Sequence, residues 1–253
     1  MNKLGVESII SNICGKNKDM KSHLFSADMK LADFIHADYS LLLLLHRFGI
    51  NLGFGDKTVR ECCEANHVSC TLFLMICNVY SNEQYLPTEK EIEGIGANVD
   101  QLIAYLKNSH SYYLENRMFS IQEQLKEISE GCEQQHQQIL NLFFNEYKNE
   151  VIRHFDYEEV TVFPYISNMV KGARPGDYEI GVFRENHSNI DDKLNDLKNI
   201  IMKYLPGDTL SDMHIRVLFG IFALEEDLSK HSLIEDKILV PLVMKLEQRY
   251  AKQ

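Results

Sequence analysis

A chain of 253 residues with 45% hydrophobic side chains has enough apolar material for one large folded domain, or a small domain beside a medium one, and disorder is excluded as its default state. Its 37 acidic residues outnumber 26 basic ones, for a formal net charge of −11, which excludes a basic face for phosphate backbones and with it a nucleic-acid partner. The most apolar run, residues 41–45, is far too short to span a bilayer, so no membrane partner is expected.

Residues 1–27 read as a lead-in, frayed or with one short helical stretch; they show no apolar core or cleavage pattern of an export signal. The six cysteines (Cys14, Cys62, Cys63, Cys70, Cys77, Cys132) form no CxxC pair and are read as reduced thiols, so the expected location is cytoplasmic. Residues 28–85 form a small helical domain, with two helical patterns around "GINLGFGD" (49–56). "LPTEKEIEG" (86–94) reads as a polar linker.

Residues 95–253 carry four long segments with apolar spacing of three and four, at about 95–130, 134–170, 178–204 and 210–250. Gly131, "KGARPGD" (171–177) and "PGD" (206–208) supply the turns between them. Strand signals are almost absent. The expected fold is all-α: an up-down-up-down four-helix bundle preceded by a small helical N-terminal domain.

Of ten histidines, two have glutamate at i+4, which places both side chains on one helix face: His154 with Glu158 and His231 with Glu235. "HFDYEEVTVFP" (154–164) and "HSLIEDKILVP" (231–241) stand 77 residues apart and match in His, Glu at +4, an acid at +5 and Pro at +10. His110 and His187 stand 77 residues apart as well, each 44 residues before its HxxxE word. On neighbouring antiparallel helices two residues share a level when the turn lies midway between them. The midpoints of 110 with 154 and of 187 with 231 fall at 132 and 209, beside the predicted turns. Four histidines and two glutamates are therefore expected at one height, facing one interior.

Burying two carboxylates and four imidazoles without a cation is costly. Imidazole ligands disfavour magnesium and calcium, and six ligands exceed a structural zinc site. Two symmetric carboxylates that each bridge two metals leave two histidines per ion, an arrangement that favours two iron ions and small ligands such as O2 or NO. Glu150 and Asp227, one turn before their histidines, are placed to take a ring N–H from outside the ligand set. Glu159 points about 100° away from Glu158 on a helix and is expected outside that set. His136, 18 residues before His154, stands about 27 Å off at 1.5 Å per residue and is left out. Tyr112, Tyr113, Tyr147 and Tyr157 lie near the ligand level and are expected chiefly in the core.

On these two words the chain resembles the hemerythrin-like (HHE cation-binding) proteins, specifically the iron–sulfur cluster repair di-iron family, with its "HxxxEExxLFPxI" and "HxxxENxxLFP" motifs. The resemblance implies a di-iron centre held by His110, His154, His187 and His231, with Glu158 and Glu235 as bridges. It also implies nitrosative and oxidative stress defence, with NO and O2 as small ligands and damaged iron–sulfur proteins as partners. The alternative is O2 or NO binding or sensing without repair. That family carries a "YGIDFCCGG" motif in its N-terminal domain. The corresponding "FGINLGFGD" (48–56) has no cysteine, and Cys62 and Cys63 come later, in an expected helix.

Overall fold

The computed structural model describes residues 24–130, 132–173, 178–186, 191–203 and 212–251. Cys14, Gly131, His187 and the expected turn at 206–208, each singled out above, lie outside the described residues. The fold is all-α, a helical bundle behind an N-terminal helical region, and no strand occurs among the described residues.

Four short helices come first: α1 (Leu31–Ala37), α2 (Leu41–Arg47), α3 (Val59–Ala65) and α4 (Cys70–Ser81). The glycine-rich stretch between α2 and α3 turns through left-handed conformations at Gly53 (φ 89°) and Gly55 (φ 64°), where a side chain would be strained. Thr58 then starts α3 with a reciprocal cap: its hydroxyl accepts from the Glu61 N–H, and the Glu61 carboxylate accepts from the Thr58 N–H.

The polar stretch 86–94 is not a linker. Thr88 and Glu91 form the same reciprocal cap, and α5 (Glu89–Gly94) follows, burying Ile92 and pairing Glu93 with Lys245 of the last helix at 2.9 Å. The helices of 28–85 share apolar packing with the bundle. Leu72, Phe73 and Ile76 of α4 belong to one apolar cluster with Val99, Leu102 and Leu106 of the bundle, because α1–α4 alone offer too little surface to close a core.

The bundle helices are long and interrupted. α6 comprises Val99–Ser111, a π-helical turn Tyr112–Arg117 and Met118–Ser129. α7 comprises Gln134–Tyr157, a π-turn Glu158–Val162 and Phe163–Val170. The third position holds α8 (Ile180–Asn186) and α9 (Asp191–Lys203). α10 comprises Asp212–Ile234, a π-turn Glu235–Leu239 and Val240–Ala251. Neighbours in sequence are neighbours in space, and α10 closes the square by packing on α6. No helix among the described residues is long and apolar enough to cross a membrane.

Two of the π-turns have a cause in the sequence. Pro164 and Pro241 stand inside α7 and α10, where proline gives no N–H and its ring crowds the carbonyl four residues back. Just before each proline the hydrogen bond lengthens by one residue: Phe163 N–H reaches the Glu158 carbonyl, and Val240 N–H reaches that of Glu235. The helix thus absorbs its proline by widening directly after the HxxxE word. The π-turn of α6 has no proline behind it.

The core has two apolar clusters. One joins the N-terminal helices to residues such as Leu106, Val162, Phe163, Phe183 and Ile234. The other fills the opposite end of the bundle, with Tyr113, Phe155, Leu194 and Leu228 at its near edge. Between these edges in sequence fall the buried His110, Glu158 and His231, so a polar layer interrupts the core at this level.

Candidate metal centre

The layer is built from three helices. His110 closes the first α-helical stretch of α6, Glu158 opens the π-turn of α7, and His231 and Glu235 flank the junction in α10. One ligand atom from each of these four lies within 4.8 Å of every other, and all four residues are buried. The two glutamates are fully inaccessible and the two histidines are 1% exposed. This group has the donor set to hold a metal ion.

Glu158 stands between two imidazoles. Its Oε2 lies 3.0 Å from His110 Nε2, and its Oε1 lies 2.8 Å from His154 Nε2. Each carboxylate oxygen thus faces a different histidine, the disposition a bridging carboxylate requires. On α10, His231 Nε2 lies 3.3 Å from Glu235 Oε1. The HxxxE spacing acts as expected in both helices. His154 is 15% exposed at the side chain, against 2% for His110 and His231, and it stands outside the tight foursome.

The polar atoms fit a cation. His231 Nδ1 makes no hydrogen bond among the described residues, and the buried His110 Nε2 and His231 Nε2 meet carboxylate oxygens at 3.0 and 3.3 Å without hydrogen-bond geometry. Buried imidazole nitrogens left in this state cost free energy on the order of 1–3 kcal/mol each. Turned toward two inaccessible carboxylates, they form the nitrogen–oxygen set that a divalent transition ion satisfies.

Aromatic rings fix the imidazoles. The Phe155 ring stacks on His110 at 3.9 Å with 7° between planes, and Phe163 lies 5.8 Å away at 18°. Tyr113 meets His231 edge-on at 5.6 Å. Its hydroxyl donates to the Asp227 carbonyl at 3.0 Å, so Tyr113 is a structural ring here. Tyr147 is likewise buried, while Tyr157 shares a 3.0 Å hydrogen bond with Tyr178.

One expectation about an outer partner changes. Asp227 does not receive the His231 ring N–H. Its Oδ2 accepts from Arg47 Nη2 at 2.5 Å and its Oδ1 from the Tyr80 hydroxyl at 2.7 Å, so both oxygens serve a buried ion pair with the N-terminal helices. Burial alone would lower the Arg47 pKa, but Tyr113, Tyr105 and Asp227 outweigh it and hold it above its usual value. Burial first, then Asp227, pushes the Tyr80 hydroxyl far above its usual range.

Glu159, expected outside the ligand set, has its Oε1 2.9 Å from His110 Nδ1. The sequence signal was the doubled acid Glu158-Glu159, whose second member reaches a ligand on the neighbouring helix. Glu150 is half-buried one turn before His154. His136 lies in the first turn of α7, and that helix runs on as far as Tyr157, so it stays far from the centre.

The N-terminal thiols are quiet. Cys62 and Cys63 lie in α3, Cys70 and Cys77 in α4, and none is in a disulfide. Burial pushes the pKa of all four upward, most strongly for Cys63 and the inaccessible Cys77.

Comparison with known proteins bears on this arrangement. No curated protein and no solved structure gives a significant match. A family profile, the hemerythrin HHE cation binding domain, matches residues 101–243, a span that contains the whole candidate centre. The chain belongs to the hemerythrin HHE cation-binding domain family.

Proposed function

We propose that the protein is a non-haem di-iron protein of nitrosative and oxidative stress defence that binds NO or O2 at this centre. One observation carries the reading: fully buried Glu158 turns one oxygen to His110 and the other to His154, with His231 and Glu235 closing the same space. His110, His154, His231, Glu158 and Glu235 would hold the ions. His187 joins them by the 77-residue sequence symmetry. Bound ferrous ions supply the open positions and the electrons that a diatomic ligand needs.

The chain's own residues do the rest. Glu158 and Glu235 bring negative charge to a dry interior, where it offsets that of the cations more strongly than in water. Phe155, Phe163 and Tyr113 wall the imidazoles and keep bulk water from them. Apolar walls favour entry of a small neutral diatomic over a charged oxidant, which would have to shed its hydration.

Repair of iron–sulfur clusters is the second reading, and the small helical unit docked beside the centre favours it. Against a thiol-assisted route stand the buried cysteines with raised pKa and the absence of cysteine from 48–56. The location is proposed to be cytoplasmic. The deciding experiment exposes the reduced, iron-loaded protein anaerobically to NO and to O2 and follows the spectra. Adducts with either gas are expected, and spectra unchanged by both gases would refute the proposal. Reactivation of a damaged cluster enzyme by wild-type protein would add the repair role.

A further inference from the structure

We infer that Glu159 is a positioning residue that selects the tautomer of His110 and makes this imidazole a stronger donor than His231. The inference rests on the metal-centre reading above. A neutral imidazole that ligates through one ring nitrogen must carry its proton on the other, and an acceptor there fixes which is which. His110 Nε2 faces the centre, 3.0 Å from Glu158, and Nδ1 faces Glu159 Oε1 at 2.9 Å. Phe155, stacked at 3.9 Å, holds the ring plane, and within that plane a flipped ring would lose the contact of Nδ1 with Glu159.

The residue stands at a boundary. The Glu159 side chain is 38% exposed whereas that of His110 is 2% exposed, so the carboxylate stays in contact with water while its Oε1 reaches a buried ring. A negatively charged acceptor polarises the N–H bond and increases electron density at the opposite nitrogen. His231 Nδ1 has no hydrogen bond among the described residues, so the two buried histidines of the centre are unequal. The contact also crosses from α7 to α6, tying the ligand of one helix to the helix that supplies Glu158.

The test compares wild type, Glu159→Ala and Glu159→Gln, each titrated with Co(II) against a competing chelator, and each melted in the metal-free state. Proton NMR of the Co(II) form follows the exchangeable ring N–H of His110. Wild type is expected to bind two Co(II) per chain and to show a slowly exchanging N–H. Glu159→Ala should lose roughly 10- to 100-fold in affinity and show fast exchange. Glu159→Gln, which keeps an uncharged acceptor, should lose less and retain the slow signal. Metal-free melting should change little, since a partly exposed residue is removed. If wild type binds two ions and both variants match it in affinity and exchange, the positioning role is overturned while the centre stands. If wild type binds none, the metal-centre reading is overturned and this inference falls with it.

Discussion

Helices α7 and α10 carry the same HxxxE word in the same register, yet their surroundings differ. On α7, His154 is 15% exposed and the acid one turn earlier, Glu150, is half-buried. On α10, His231 is 2% exposed, and the corresponding acid, Asp227, is buried under Arg47 and Tyr80. The cause is the N-terminal unit, whose α4 packs on α10 and whose α2 packs on α6. A repeated word places the ligands symmetrically; an added unit then seals one side and leaves solvent on the other. Glu159 works on the open side, Asp227 on the closed one.

The strongest way to break this comparison is at the carboxylates themselves. Glu158→Ala should abolish binding of both ions, because it faces two histidines, whereas Glu235→Ala should leave weak binding of one. Metal analysis after gel filtration checks this. The metal-free form of either variant should be no less stable than wild type, since each removes a buried carboxylate whose desolvation is costly.

Next comes the closed side. Asp227→Ala leaves the buried Arg47 guanidinium without its counter-charge and should cost about 3–5 kcal/mol. For a chain of this size that lowers Tm by on the order of 10 °C, measurable by calorimetry. The double variant Arg47→Met with Asp227→Leu should recover much of the loss, because an apolar pair of similar volume carries no desolvation penalty. An equal loss in both would mean that packing, not charge, holds the unit in place.

The thiols give a smaller, kinetic effect. Burial holds Cys63 and Cys77 mostly as thiols, so alkylation of the native protein at pH 8 should leave both unmodified while urea exposes them to reaction. Rapid native labelling of either would reopen a thiol role for the N-terminal unit. Smallest is the cap of α5: Thr88→Ala should cost about 1 kcal/mol, a fall of a few degrees in Tm. Hydrogen bonds from the Thr88 N–H, then its hydroxyl, hold Glu91 below its ordinary value of 4.5. A depressed carboxylate stabilises the fold above that ordinary value and loses the effect as pH falls through its folded pKa. The gap between wild type and Thr88→Ala should therefore narrow only below about pH 4.5.

Features with a short sequence range were legible. Apolar spacing marked the long helices, and the 77-residue repeat singled out His110, His154, Glu158, His187, His231 and Glu235; the fold gathers His110, Glu158, His231 and Glu235, sets His154 beside Glu158, and His187 lies outside the described residues. The α5 helix was legible too, in Thr88 and Glu91 three apart, but its acidic composition hid it behind a linker reading. Pro164 and Pro241 announced a disturbance of the helix without saying that it would be a π-turn beginning at each glutamate. What could not be read depends on rotation and docking. Glu159 reaches His110 only because α6 and α7 pack with one particular phase. Arg47 finds Asp227 across 180 residues, and nothing local to either names the other.

The central claim is a two-iron centre shared by the bundle helices, and iron stoichiometry with Mössbauer spectroscopy of the anaerobically reconstituted protein tests it most directly. The account predicts two iron ions per chain, spin-coupled in the oxidised state, with coupling lost in Glu158→Ala. One ion per chain, zinc in place of iron after purification from iron-replete cells, or two uncoupled ions would contradict it.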